Sequence, residues 1–75
     1  SIGMDLNLNV LAMRLNNTEY EPEQFPGLVY KIPELSATFL LFSNGKIVCT
    51  GTKSETEVNR AVDKLIDNLL KVMSK

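Results

Sequence analysis

Few residues in this chain are of a type that makes or breaks bonds, and none stands where such work needs it. There is no histidine, the side chain that most often serves as general base or metal ligand near neutral pH. Ser54 therefore has no imidazole to activate it, and in Ser54-Glu55-Thr56-Glu57 it reads as a helix cap. Cys49 is the single cysteine. It falls mid-strand on the core side, where an inert thiol is expected rather than a nucleophile. One cysteine allows no intrachain disulfide and makes a structural zinc implausible. Glu19, Glu21 and Glu23 alternate through a proline-containing loop. Three carboxylates suit a divalent cation, but no glycine-punctuated ligand loop accompanies them, so a solvated acidic surface is the better reading. Ser43-Asn44-Gly45-Lys46 lacks the glycine spacing of a phosphate loop and reads as a hairpin turn. No enzymatic activity, no metal and no cofactor is expected.

The composition narrows the class further. The chain has 75 residues, 44% hydrophobic and 23% charged, with a net charge of -1. That is the balance of one small globular domain over residues 1–75, whose core is thin because a chain this size buries only about 60% of its unfolded surface. A net charge of -1 gives no bulk basic field, which excludes a DNA binder of the charged-arm type but not a shape-driven one. No apolar run approaches the ~20 residues of a membrane span. The N-terminus lacks the basic-then-apolar order of a signal peptide. An intracellular location is expected.

The elements that position these residues follow from period and punctuation. Leu8, Leu11, Ala12 and Leu15 recur at helical spacing, with Asp5 or Asn7 available as cap. Asn16-Asn17-Thr18 ends that helix. Glu19 to Gly27, with two prolines and a glycine, reads as a loop. Leu28 to Ile32 reads as a strand stopped by Pro33-Glu34. Ser36 to Phe42 and Ile47 to Thr50 read as a hairpin about Asn44-Gly45. From the capping box onward, Val58, Ala61, Val62, Leu65, Ile66, Leu69, Leu70 and Met73 form one stripe of a long helix. Arg60, Asp63, Lys64, Asp67 and Lys71 lie off it, toward solvent.

The strands are the informative part. A half-exposed strand alternates apolar and polar residues, and these do not. Ala37, Phe39 and Leu41 point one way, while Thr38, Leu40 and Phe42 point the other. Ile47 and Cys49 oppose Lys46, Val48 and Thr50. One long helix covers one face. Leu40, Phe42 and Val48, with Val29, Lys31 and Phe25 from the loop, are left on the other. A contiguous exposed apolar patch marks an interaction surface. Two alternatives remain open: the first helix swings across that face, or two copies pack sheet to sheet.

Two blocks of sequence resemble the TATA-binding protein family. Glu19-Tyr20-Glu21-Pro22-Glu23-Gln24-Phe25-Pro26-Gly27-Leu28-Val29-Tyr30 is similar to that family's stirrup and following strand, in the form of the archaeal C-terminal repeat. Leu40-Leu41-Phe42-Ser43-Asn44-Gly45-Lys46-Ile47-Val48-Cys49-Thr50-Gly51-Thr52-Lys53-Ser54-Glu55 is similar to its central hairpin and the start of its long helix. The resemblance implies an α+β fold: one half of the family's saddle, an antiparallel sheet with a short N-terminal and a long C-terminal helix on one face. It implies a general transcription factor that binds and bends the minor groove of the TATA element to nucleate assembly of the pre-initiation complex.

By position, the resemblance assigns Phe25 and Phe42 as wedges at the end base step. Val29, Leu40, Val48 and Thr50 become contacts on the groove floor, and Lys31 and Lys46 phosphate contacts. Glu21, Glu23 and Gln24 become the surface that receives transcription factor B. The implied partners are TATA-element double-stranded DNA, transcription factor B, and either the other repeat or a second copy of this chain; the implied location is on the DNA of an archaeal cell. The chain departs from the family in two respects. It matches a single repeat, and it resembles that repeat from after its first strand, with Ser1-Ile2-Gly3 similar to the turn that follows. An assembly module of the same fold with no independent DNA binding is the alternative function.

Overall fold

Short-range chemistry sets where most elements begin and end. The computed structural model describes residues 5–73, so the expected turn at Ser1-Ile2-Gly3 lies outside the described residues. Asn7 caps α1 (Leu8–Arg14), its side chain accepting the Val10 N–H at 3.2 Å. This satisfies one of the N-terminal donors that a helix leaves without a partner. At the other end of the chain, Ser54 Oγ accepts the Glu57 N–H at 3.2 Å, and the Glu57 carboxylate accepts the Lys53 N–H at 2.9 Å. The reciprocal cap opens α2 (Glu55–Met73) as the sequence pattern requires.

Between the two helices in sequence come the strands of one antiparallel sheet in the order β1 (Thr18–Glu19), β2 (Leu28–Ile32), β3 (Ala37–Leu41), β4 (Ile47–Thr50). The strand β1 corrects the loop expected from Glu19 onward. Two residues are too few to show a period, and only pairing of Thr18 with Tyr30 and Glu19 with Val29 makes them a strand. Ser36, expected in a strand, instead sits at φ 52°, closing a 3-10 turn over Pro33–Leu35. The β3–β4 hairpin turns as expected. The Gly45 N–H donates to Phe42 O at 2.9 Å and the Phe42 N–H to Lys46 O at 3.0 Å, with Gly45 at φ 88°. This is a three-residue loop with a glycine bulge, not the two-residue turn that Asn-Gly most often signals.

The core is the layer between the sheet and the two helices. Leu28, Tyr30 and Ile32 of β2 and Ala37, Phe39 and Leu41 of β3 are buried on that side, against Leu8 and Leu11 of α1 and Ala61, Leu65 and Leu69 of α2. Cys49 is half-buried against this core. The long helix buries a narrower stripe than its sequence suggests. At 100° per residue, Val58, Ala61, Leu65, Leu69 and Val72 lie within roughly 40° of one line, and Ile66, Leu70 and Met73 lie roughly 80–140° from it. Those three are 40%, 63% and 39% exposed. A helix resting on a sheet buries only the arc in contact, so the outer flank of a wide apolar stripe stays in water.

Candidate nucleic-acid interface

The other face of the sheet is bare. Strand register sets its composition. Val29 pairs with Leu40, and Leu40 with Val48; Lys31 pairs with Thr38, and Thr38 with Thr50. Cross-strand partners share a face, so these residues form two adjacent rows: Val29, Leu40 and Val48, then Lys31, Thr38 and Thr50. Glu19, paired with Val29, stands at the outer end of the apolar row. Val29, Thr38, Leu40 and Val48 are half-buried by one another, and Lys31 and Thr50 are exposed. None of Val29, Leu40, Phe42 and Val48 belongs to the core or packs against it. Both helices lie on the opposite side, so neither swings across this face.

At one end of the rows two aromatic rings stand together. Phe25, from the β1–β2 loop, and Phe42, just past β3, have ring centroids 5.9 Å apart at an interplanar angle of 68°, an edge-to-face pair. The loop is shaped to bring Phe25 there. The Gln24 and Phe25 N–H groups both donate to the Glu21 carbonyl, at 2.9 and 3.0 Å, which folds Glu21 to Phe25 into a turn. Gly27 completes the seat. A Cβ on this residue would stand 2.8 Å from Phe25 Cε2 and 3.0 Å from Phe42 Cε1, inside van der Waals distance. Glycine is thus the residue that lets both rings close over the backbone. Phe25 remains 40% exposed.

The structure accordingly brings Phe25, Val29, Lys31, Leu40, Phe42, Val48 and Thr50 to one face. Lys46 is exposed directly across the hairpin from Phe42, its N–H held by Asn44 Oδ1 at 3.0 Å. Glu21, Glu23 and Gln24 are exposed in the β1–β2 loop, separate from the rows but next to the rings. Reading by position omitted two residues from this constellation. Thr38 occupies the middle of the hydroxyl-bearing row and was legible in the alternation. Gly27 was visible as a turn residue, but its closeness to both rings was not. The face offers an apolar and hydroxyl-bearing floor, with two cations at its margins and two aromatic rings at one end.

Comparison with known proteins places this arrangement. A family model described as "Transcription factor TFIID (or TATA-binding protein, TBP)" matches residues 1–72. The chain belongs to the TATA-binding protein family. It is 56% identical over 70 residues to the TATA-box-binding protein of Thermococcus celer, covering 93% of this chain and 37% of that one. It is 54% identical over 68 residues to that of Pyrococcus furiosus, covering 91% of this chain and 36% of that one. The solved structure of Methanococcus jannaschii TBP superposes with a TM-score of 0.91 at 44% identity, covering 96% of this chain and 43% of that one. The chain thus carries the α+β fold of one family repeat and spans about 37% of the length of its archaeal relatives. The family is one of non-enzymatic transcription factors.

Proposed function

We propose that this chain is one repeat of a TATA-box-binding general transcription factor, and that its bare sheet face binds and bends the minor groove of A·T-rich DNA to nucleate pre-initiation complex assembly. The observation that carries the reading is the Phe25–Phe42 pair seated over Gly27 at the end of an apolar sheet face. Minor-groove architectural proteins insert apolar wedges between base steps and draw specificity from DNA deformability, with cations confined to the backbone contacts. This is how a chain of net charge -1 holds a polyanion. Phe25 and Phe42 are the wedge, and Val29, Leu40, Val48 and Thr50 lie on the base edges. Lys31 and Lys46 meet phosphates. Glu21, Glu23 and Gln24 receive transcription factor B, and the protein works inside an archaeal cell, on its DNA.

A titration of the chain against a labelled TATA duplex and a G·C-rich control, at two salt concentrations, tests this. The TATA duplex is expected to bind more tightly, and Phe42→Ala to reduce the difference. Equal affinity for both duplexes, or a preference untouched by Phe42→Ala, would overturn the wedge.

One observation favours a second reading, an assembly module with no DNA binding of its own. Among the described residues β4 has a neighbour on one side only. Its sequence Ile47-Val48-Cys49-Thr50 carries neither charge nor proline, the features that usually keep such an edge from pairing. Absence of any duplex binding together with stable self-association would support this reading over the first.

A further inference from the structure

The floor of the bare face is not uniform. In its first row, the side chains of Val29, Leu40 and Val48 neither donate nor accept a hydrogen bond. In its second row, every side chain can: Lys31, Thr38 and Thr50. Thr38 holds the centre of that row, on β3, which has a strand on either side. It is half-buried, whereas Lys31 and Thr50 at its flanks are exposed.

The two hydroxyls of the row also differ in what engages them. Thr50 Oγ1 donates to the Thr38 carbonyl at 3.4 Å, which turns its hydrogen into the sheet. The Thr38 hydroxyl has no hydrogen-bond partner among the described residues, and its oxygen is reached from solvent rather than buried. It is a free donor and acceptor in the middle of the floor.

Minor-groove chemistry gives such a group a use. There A·T and T·A pairs present only acceptors, and a G·C pair adds one donor, the guanine N2 amino group. A side chain of carbon alone, pressed on a G·C pair, leaves that donor buried without a partner, a loss of roughly tenfold in affinity. Val29, Leu40 and Val48 therefore exclude guanine from the pairs they cover. A hydroxyl serves either pair. Its hydrogen turns to adenine N3 or thymine O2, or its lone pairs accept from guanine N2–H. Threonine departs from valine in this hydroxyl and hardly in shape.

We propose that Thr38 is a specificity-determining residue that admits a G·C pair at one position of an otherwise A·T-only site, its Oγ1 accepting the guanine N2–H. This role rests on the sheet face reading the minor groove, as proposed above.

The test moves a single G·C pair, one position at a time, through a labelled TATA duplex and follows binding of the 75-residue chain by fluorescence anisotropy. Most positions are expected to lose about tenfold in affinity, and one position less than about threefold. Thr38→Val is expected to bind the parent duplex within about threefold of wild type and to lose about tenfold at the tolerated position. Thr38→Ser, which keeps the hydroxyl, is expected to keep the tolerance. Inosine in place of that guanine lacks the N2 amino group and is expected to return Thr38→Val to its parent affinity. A purely structural role for Thr38 would not respond to that one group. Thermal melts followed by circular dichroism confirm that each variant folds. If Thr38→Val deepens the penalty at no position while the TATA duplex still binds more tightly than a G·C-rich control, Thr38 loses its role and the minor-groove reading stands. A penalty in Thr38→Val that persists with inosine would assign the loss to shape and end the proposal. Equal wild-type affinity for the TATA duplex and the G·C-rich control would overturn the minor-groove reading and the role of Thr38 together.

Discussion

Gly27→Ala separates the wedge from the fold more cleanly than truncating either ring. The new methyl carbon would stand 2.8 Å from Phe25 Cε2 and 3.0 and 3.2 Å from Phe42 Cε1 and Cζ. Carbon atoms rest at about 3.5–4.0 Å, so the rings must retreat by roughly 0.5–1 Å. Nothing prevents them, since Phe25 is 40% exposed and Phe42 half-buried outside the core. The free protein loses at most the edge-to-face pairing, about 0.5–1.5 kcal/mol. The smaller conformational freedom of alanine in the unfolded chain offsets about 0.4–1 kcal/mol of this, because Gly27 is not among the glycines at positive φ. Net stability changes by less than about 1 kcal/mol, a shift in Tm of at most about 4–8 °C. DNA binding is more sensitive. Prising open a base step costs a few kcal/mol, and a displaced wedge recovers less of it, so affinity for a TATA duplex is expected to fall roughly tenfold, equivalent to about 1.4 kcal/mol. Calorimetry or a circular dichroism melt measures the first quantity. Anisotropy on a duplex carrying a donor and acceptor at its ends measures affinity and bend together. A Gly27→Ala chain that binds and bends the duplex like wild type would refute the role given to the ring pair. Destabilisation beyond about 3 kcal/mol would show that the rings serve the fold instead.

Three further outcomes are expected. Ser54→Ala removes the acceptor of the Glu57 N–H and should cost about 0.5–2 kcal/mol, read as a lower denaturation midpoint with an unchanged slope. Leu65→Ala empties a fully buried position under the sheet and should cost about 2–5 kcal/mol, enough to leave much of the chain unfolded at room temperature. The isolated chain at tens of micromolar should run as a dimer or larger species through the β4 edge or the bare face, and light scattering after size exclusion that returns a clean monomer would rule this out.

Much of the architecture was legible because it rests on short-range causes. The caps at Asn7 and Ser54 each bridge three residues, the β3–β4 turn closes within one loop, and a strand shows its two faces by simple alternation. From that alternation alone, Leu40, Phe42 and Val48 stand opposite Phe39, Leu41 and Ile47, and the register bears this out. The part that stayed hidden depends on distant partners. Thr18–Glu19 becomes a strand only because β2 lies beside it. Ile66 and Leu70 match the helical period as well as Leu65 and Leu69 do, and only contact with the sheet beneath decides which pair is buried.

The chain's residue types and spacings thus determined the helices, the hairpin, the absence of catalytic groups and the existence of a second apolar face, because each follows from neighbours a few positions apart. The resemblance had already set Phe25 beside Phe42; the tertiary structure alone decided that both rings close over Gly27, and that cations from α1, β2 and α2 border one cleft. Those juxtapositions join residues far apart in the chain, and their positions follow from how the layers pack rather than from any local preference of the residues themselves.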